Sequence, residues 1–158
     1  MAVRRLNHAV LYVRDVPRSV AFYKEALGFE ALVESPQAAF LRASGSTNDH
    51  DLGLFGIGDA AGESGAGRST VGLYHLAWGV ETLAELKALV GQSDHGTTKS
   101  LYAKDPDGLE FEVCWIVPKD RLGEASTATI VEQLDLDAEL ARYGPTTVGG
   151  LGVSWPEA

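Results

Sequence analysis

The sequence of 158 residues is poor in cysteine and lacks long hydrophobic runs. Its one cysteine, Cys114, excludes an internal disulfide, and a reducing cytoplasm is the compartment that we expect. No run approaches the roughly 20 apolar residues of a membrane-spanning helix. The apolar run near the N-terminus is short and is broken by Asn7 and His8, so we expect neither a signal peptide nor a membrane partner.

Basic side chains are also scarce, because 13 Lys and Arg stand against 22 Asp and Glu, and the formal net charge is −9. A surface of this sign disfavours nucleic acids and anionic membranes as partners. The hydrophobic fraction of 45% and the charged fraction of 22% are typical of one globular domain with a real core. These bulk features leave the nature of a small-molecule substrate open.

The first part of the chain alternates apolar and polar residues in a way that predicts strands around one helix. Asp15 is suited to cap this helix, Pro17 fits its first turn and Gly28 fits its end. Strands are predicted over residues 6–13, 29–34, 37–43 and 49–57. The stretch that follows is rich in Gly, Ala and Ser and predicts a flexible linker over residues 58–70.

After the linker the pattern starts again. A strand is predicted over residues 72–80, a helix over 82–90, and further strands over 97–104 and 109–117. His8 lies five residues before Val13 and His75 lies five residues before Val80, and each histidine stands on a predicted strand that a helix follows. The two halves therefore resemble a duplicated βαβββ unit.

The C-terminal residues 118–158 do not fit the repeat. A short helix is predicted over residues 137–142, followed by a glycine-rich tail that contains Trp155. This tail could wrap the domain, cover the mouth of a pocket or form part of a dimer contact, and the sequence does not choose among these outcomes.

Three residues of the repeat are candidates to hold one divalent metal. Glu112 lies between Phe111 and Val113, and a carboxylate in an apolar strand costs several kcal/mol unless it is paired. Together with His8 and His75 it forms a set of two imidazoles and one carboxylate. Such a set suits Fe(II), Mn(II), Co(II) or Zn(II) and leaves positions for a substrate and O2. The alternative for each histidine is an ordinary core side chain bonded to a backbone carbonyl.

The residues 6–29, 72–80 and 101–113 together resemble the vicinal oxygen chelate superfamily, which includes glyoxalase I, bleomycin-resistance proteins and type I extradiol dioxygenases. The resemblance implies an α+β fold in which two βαβββ modules form a curved mixed sheet around a metal cavity. The implied boundaries are a single domain over residues 1–117, with module one at 5–57, the linker at 58–70 and module two at 71–117, and a C-terminal extension at 118–158.

In that superfamily the metal ligands occupy the positions of His8, His75 and Glu112. The spacing from the DPDG turn to the glutamate favours Glu112 over Glu110. The resemblance favours Fe(II), with Mn(II), Zn(II), Ni(II) or Co(II) as alternative metals.

Three further residues resemble features of the extradiol dioxygenases. His50 in NDHDLGLF matches a histidine before the linker, His95 in SDHGTTKSLY matches a histidine ahead of the DPDG hairpin, and Tyr102 stands ten residues before Glu112. The resemblance implies that His50 is an acid/base, that His95 orients or shields a substrate oxygen, and that Tyr102 bonds a deprotonated substrate oxygen. The alternatives are two solvated loop histidines and a half-buried strand tyrosine.

These features together favour one function within the superfamily. Glyoxalase I uses a glutamate on the strand that corresponds to residues 49–57, and none is present there. Bleomycin-resistance proteins lack the metal ligands, which are intact here. We therefore expect Fe(II)-dependent extradiol cleavage of a catecholic ring, with a small aromatic substrate and O2 as partners and a homodimer as the assembly. The alternatives are a glyoxalase-like lyase or isomerase with another metal, and a non-catalytic protein that binds a small aromatic compound.

Overall fold

The computed structural model describes residues 2–3, 5–66, 69–86, 92–94, 96–122 and 133–150, and of residues 92–94 it describes the backbone alone. The chain forms two compact units. Unit 1 comprises Met1–Gly65 with Asp105–Leu109, and unit 2 comprises Ala66–Lys104 with Glu110–Ala158. Each unit contains one four-stranded sheet of mixed direction.

The sheet of unit 1 has one helix packed against it. Its strands are β1 (Ala9–Val13), β2 (Glu30–Glu34), β3 (Ala38–Arg42) and β4 (Leu52–Gly56), in the order β1-β4-β3-β2, with β1 and β4 parallel. Helix α1 (Val16–Leu27) begins at Asp15, whose side chain accepts the backbone N–H of Arg18. It ends at Gly28, whose φ of 68° favours glycine. The elements predicted for this half are confirmed, with shorter strands.

The two faces of this sheet differ in burial. Alternate residues of the strands point to the face that contacts α1, and there the apolar side chains are buried. They are Leu11, Val13, Leu41, Leu52 and Leu54, which pack with Val16, Val20 and Tyr23 of the helix region. On the other face Val10, Tyr12 and Phe55 are each more than a third exposed.

The sheet of unit 2 repeats the topology of the first. Its strands are β5 (Leu76–Gly79), β6 (Gln92–Asp94), β7 (Thr98–Lys104) and β8 (Glu110–Ile116), in the order β5-β8-β7-β6, with β5 and β8 parallel. Helix α2 (Leu83–Leu86) follows β5, and α3 (Leu136–Tyr143) follows a short 3-10 turn at Lys119–Arg121. The shared strand order confirms the α+β fold and the repeat of elements.

Strand β6 was not predicted from the sequence. Its residues Gln92, Ser93 and Asp94 are polar, so they lack the alternation that indicates a half-buried strand. Backbone pairing with β7 forms the strand instead, with Gln92 opposite Leu101 and Asp94 opposite Lys99.

The last part of the predicted helix 82–90 lies outside the described residues from position 87 onward. In the described ranges no helix has both the length and the apolar character needed to cross a membrane.

The C-terminal segment belongs to unit 2. Trp115 donates its Nε1–H to the carbonyl of Thr147 at 3.2 Å, and Gly149 donates its N–H to the carbonyl of Glu81 at 2.8 Å. A Cβ at Gly149 would lie 3.0 Å from the Trp115 ring, so this close approach requires glycine. The described part of the tail therefore wraps unit 2, whereas Trp155 lies outside the described residues.

Helix α3 is tied to the sheet of unit 2 by a buried ion pair. The ammonium of Lys99 on β7 lies 3.2 Å from a carboxylate oxygen of Glu139, and Lys99 is only 2% exposed. Asp135 caps the helix by accepting the N–H of Ala138 at 3.0 Å. The predicted helix 137–142 is thus confirmed, extended by one residue at each end.

Part of the predicted linker has fixed partners within unit 1. The guanidinium of Arg14 donates to the carbonyls of Ala61 at 2.5 Å and Gly62 at 3.1 Å, and it contacts the carboxylate of Glu63 at 3.1 Å. The same guanidinium lies 3.5 Å from Asp107. Residues 61–63 thus contact Arg14, and the flexible linker over residues 58–70 stays a prediction.

Asp105 organises the DPDG turn. One of its oxygens accepts the N–H groups of Asp107 and Leu109, both at 2.9 Å, and the other accepts the hydroxyl of Tyr23 at 3.2 Å. Gly108 has a φ of 82°, which glycine adopts without strain. Burial raises the pKa of Asp105, and burial together with the adjacent Asp105 raises the pKa of Tyr23. The turn is thus fastened to α1 by one buried hydroxyl.

Replacing Tyr23 by Phe should lower the free energy of unfolding by about 1–2 kcal/mol, because Asp105 is 5% exposed and would lose a buried partner. Urea denaturation of the two proteins measures this difference. The matched control is Tyr12→Phe, which removes a hydroxyl from a side chain that is 70% exposed and should change little. An equal loss in both variants would contradict a specific role for the Tyr23 hydroxyl.

Candidate metal centre

Two of the three predicted metal ligands lie side by side in unit 2. His75 directly precedes β5, and Glu112 in β8 is paired in register with Ala77. Nε2 of His75 is 3.0 Å from Oε2 of Glu112, and the two side chains are 22% and 12% exposed. Two ligands that each lie about 2.1 Å from a metal, at right angles, are about 3.0 Å apart. The observed separation therefore suits a shared cation as well as a direct hydrogen bond.

The second oxygen of Glu112 is also engaged. Ser100 on β7 donates its hydroxyl to Oε1 of Glu112 at 2.5 Å, and the serine is fully buried. Tyr102 stands directly opposite Glu112 in the β7–β8 pairing, and its ring centroid is 5.5 Å from that of His75. Burial, the charge of Glu112 and a hydrogen bond to Glu112 raise the pKa of Tyr102. The phenol therefore keeps its proton at neutral pH and serves as a donor.

The surroundings of His75 differ from those of an ordinary core histidine. Its Nδ1 atom is buried and, among the described residues, has no hydrogen-bond partner. Tyr74 packs against the ring with centroids 4.6 Å apart. A core histidine bonded to a backbone carbonyl does not describe this arrangement, because the contact that orients the ring is the carboxylate of Glu112. Imidazole and carboxylate donors that face one another fit a divalent cation.

The other two predicted residues that the structure describes lie together in unit 1. His8 precedes β1, and its Nδ1 is 2.8 Å from the amide oxygen of Asn7. The ring centroids of His8 and His50 are 4.4 Å apart, and His50 also contacts Phe40 with centroids 5.0 Å apart. His50 is thus held between a histidine and an aromatic ring, unlike a freely solvated loop histidine.

Asp51 fixes the loop that carries His50. Its carboxylate accepts the N–H of Ala43 at 2.9 Å, the hydroxyl of Ser46 at 2.8 Å and the amide of Asn48 at 2.7 Å. Burial raises the pKa of Asp51, but these three hydrogen bonds outweigh burial, so the pKa lies below its ordinary value.

Sequence reasoning missed two residues of these surroundings, Asp51 and Ser100. Asp51 directly follows His50, and Ser100 stands two residues before Tyr102 and so points to the same face of the sheet. Both residues are polar neighbours in the sequence of His50 or Tyr102, which were predicted site residues. The hydrogen-bond partners of Asp51 and Ser100 could not be predicted, because they depend on loop geometry and on strand register.

The complete ligand set remains a prediction. His8 belongs to unit 1, whereas His75 and Glu112 belong to unit 2. Over the part of the chain that the structure describes, there is no group of three or more His, Cys, Asp or Glu side chains that could hold a metal ion. His95 lies outside the described residues, and its role also stays a prediction.

Comparison with known proteins assigns the chain to a family. The model of the Glyoxalase/Bleomycin resistance protein/Dioxygenase superfamily matches residues 5–113. The chain belongs to this superfamily, which confirms the resemblance inferred from its motifs.

Individual relatives carry different activities. The chain is 33% identical over 120 residues to biphenyl-2,3-diol 1,2-dioxygenase 3 of Rhodococcus globerulus, covering 69% of this chain and 62% of the relative. It is 29% identical to catechol-2,3-dioxygenase of Bacillus subtilis, covering 68% and 40%. It is 27% identical to metallothiol transferase FosB of Lysinibacillus sphaericus, covering 77% and 89%. The chain thus spans less than two thirds of the length of either dioxygenase.

A solved structure supports the fold. The glyoxylase/bleomycin resistance protein/dioxygenase domain from Frankia sp. EAN1pec superposes with a TM-score of 0.58 at 22% identity. The match covers 72% of this chain and 92% of the Frankia chain. At this identity the likeness concerns the fold alone.

Replacing Asp51 by Asn should destabilise the protein in a pH-dependent way. Because the pKa of Asp51 is lowered from 3.8, its contribution to stability is present above that value and is lost as the pH falls through the folded-state pKa. The difference in unfolding free energy between the two proteins should be constant from about pH 7 to about pH 5 and should shrink below about pH 4. Urea denaturation across this range measures it.

Asp49→Asn is the control, because it removes an exposed carboxylate from the same loop. A pH profile for Asp51→Asn that parallels the control would refute the assigned role of Asp51.

Proposed function

We propose that the protein is an Fe(II)-dependent extradiol dioxygenase that cleaves a catecholic ring with O2. The observation that carries this proposal is the pairing of His75 with Glu112 at 3.0 Å, with Tyr102 bonded to the same carboxylate. The proposed ligands are His8, His75 and Glu112, and Mn(II), Zn(II), Ni(II) or Co(II) are alternative metals. When bound, Fe(II) would supply the redox chemistry that joins O2 to an electron-rich ring.

The chain's own residues have separate tasks in this proposal. Tyr102, whose raised pKa keeps its proton in place, turns its single O–H from Glu112 to a substrate oxygen. His50 accepts and returns protons, the acid/base task that an imidazole ring can perform with its two nitrogens. Its contact with Phe40 fixes the plane of its ring. His95 is assigned the orientation of a substrate oxygen.

The exposed face of the unit 1 sheet supports an aromatic substrate. Val10, Tyr12 and Phe55 on this face are 51%, 70% and 37% exposed, and Phe40 lies beside Phe55 with ring centroids 6.0 Å apart. Aromatic rings gain from covering such surface by apolar burial and by ring packing.

A second candidate function is metal-dependent transfer of a thiol. The supporting observation is length, since the chain spans 89% of the metallothiol transferase relative but 62% of the biphenyl-diol dioxygenase. A glyoxalase-like lyase and a non-catalytic binder of a small aromatic compound are the remaining alternatives. For any of these we propose a homodimer in the cytoplasm, where the single buried thiol of Cys114 would stay reduced.

Anaerobic loading with Fe(II), followed by a panel of catechols and O2, should give a yellow ring-cleavage product and uptake of one O2 per catechol. Oxygen electrode traces and absorption spectra measure both quantities. Absence of uptake with every catechol, together with activity of the Zn(II) or Ni(II) form on a glutathione hemithioacetal, would overturn the dioxygenase assignment.

Substitutions at Glu112 and His50 should separate metal binding from turnover. Glu112→Ala should lose the metal, while the control Glu110→Ala should keep it, because the turn spacing selects Glu112. His50→Ala should keep the metal and lower kcat by about 10²–10⁴-fold, the usual contribution of an acid/base group. Metal analysis of the purified variants and steady-state kinetics provide the two readings. Full metal occupancy in Glu112→Ala would disprove the ligand assignment.

A further inference from the structure

We infer that Ser100 is a positioning residue that gives the two carboxylate oxygens of Glu112 different tasks. Its hydroxyl donates to Oε1 at 2.5 Å, while Oε2 lies 3.0 Å from Nε2 of His75. Ser100 thereby holds Glu112 as a one-oxygen metal ligand. This inference rests on the metal site of the proposed function, and it assigns no contact between Ser100 and a substrate.

The burial of both partners makes this hydrogen bond specific. As whole residues, Ser100 is 0% exposed and Glu112 is 9% exposed, so few water molecules can reach this bond. The separation of 2.5 Å lies at the short end for a hydroxyl that donates to a carboxylate, where charge-assisted bonds are about twice as strong as neutral ones. Rotation of the carboxylate would break this bond.

A second buried serine shows that this bonding is not general in the chain. Ser19 on α1 is 1% exposed, and within the described residues its hydroxyl has no hydrogen-bond partner. The hydroxyl of Ser100, by contrast, is aimed at one oxygen of a predicted ligand. Ser19 therefore offers a matched control, in which the same hydroxyl is removed from an equally buried site.

The strand pairing explains why position 100 reaches Oε1. Tyr102 stands directly opposite Glu112 and Ser100 directly opposite Cys114, so Ser100 is a diagonal neighbour of Glu112 on the same face of the sheet. Two residues of β7 therefore donate to Glu112, Ser100 to Oε1 from the diagonal position and Tyr102 from the position directly opposite.

A freed carboxylate can bind a metal through both oxygens and so occupy a position that a one-oxygen ligand leaves open. Ser100→Ala should therefore raise the coordination number of the bound metal. It should also weaken metal binding, because the hydrogen bond that orients the ligand is lost. Loss of an outer hydrogen bond to a ligand typically costs 10–100-fold in metal affinity. A merely structural serine would alter stability and leave both properties unchanged.

The test uses the full chain and Co(II) as the probe. Calorimetric titration should show a 10–100-fold higher Kd for Ser100→Ala than for the wild type. The visible absorption of bound Co(II) should become weaker, because higher coordination numbers give weaker bands. Ser100→Thr, which keeps the hydroxyl, should restore most of both properties, and Ser19→Ala should match the wild type. Thermal unfolding of the metal-free proteins checks that each variant is folded.

The outcomes separate this inference from the proposed activity. A Ser100→Ala variant with unchanged Kd and unchanged Co(II) spectrum overturns the positioning role alone. A wild type that binds no Co(II) overturns the positioning role and the metal site together. If Ser100→Ala shows the expected changes but the Fe(II)-loaded wild type cleaves no catechol, the positioning role stands and the dioxygenase assignment fails.

Discussion

The carboxylate of Glu112, set in a buried strand, is the constraint on which unit 2 depends. A charged group in such a place must be satisfied by donors, or it costs several kcal/mol. Ser100, Tyr102 and His75 provide contacts from β7 and from the residue that precedes β5. Because side chains alternate between faces, a shift of either strand by one residue would remove these partners. The polar cluster therefore specifies the register of the sheet as well as a candidate metal site.

The turn that joins β7 to β8 contains a second buried carboxylate, that of Asp105. Asp105 is buried, and its oxygens are filled by two backbone N–H groups of the turn and by the Tyr23 hydroxyl. Arg14 adds a contact to Asp107 and holds three residues of the linker at the same time. Acidic residues thus anchor the connections of the fold, although the chain carries a formal net charge of −9. Several acidic residues therefore accept hydrogen bonds within the fold rather than only facing solvent.

The sequence predicted elements that local chemistry specifies by itself. Asp15 and Gly28 mark the beginning and the end of α1. The apolar pattern of the longer strands predicts where those strands lie. Strand β6 forms by backbone pairing with β7, and its polar side chains carry no alternation from which the strand could be predicted. The pairing of His75 with Glu112 followed from the motif, whereas the bond from Ser100 required the register of two strands. The structure thus places His75 beside Glu112, while the ligand set itself stays a prediction, and the hydrogen bonds around Glu112 could not be predicted without the strand register.

The ion pair between Lys99 and Glu139 bears on how far the chain can be truncated from its C-terminal side. The family match ends at residue 113, but Glu139 lies on α3, beyond that limit. Removing one member of a buried ion pair is strongly destabilising, so a fragment that ends before Glu139 would be less stable. Lys99 is also the direct neighbour of Ser100 in the chain. Helix α3, although it lies beyond the matched residues, is therefore bound to the buried side of the unit 2 sheet.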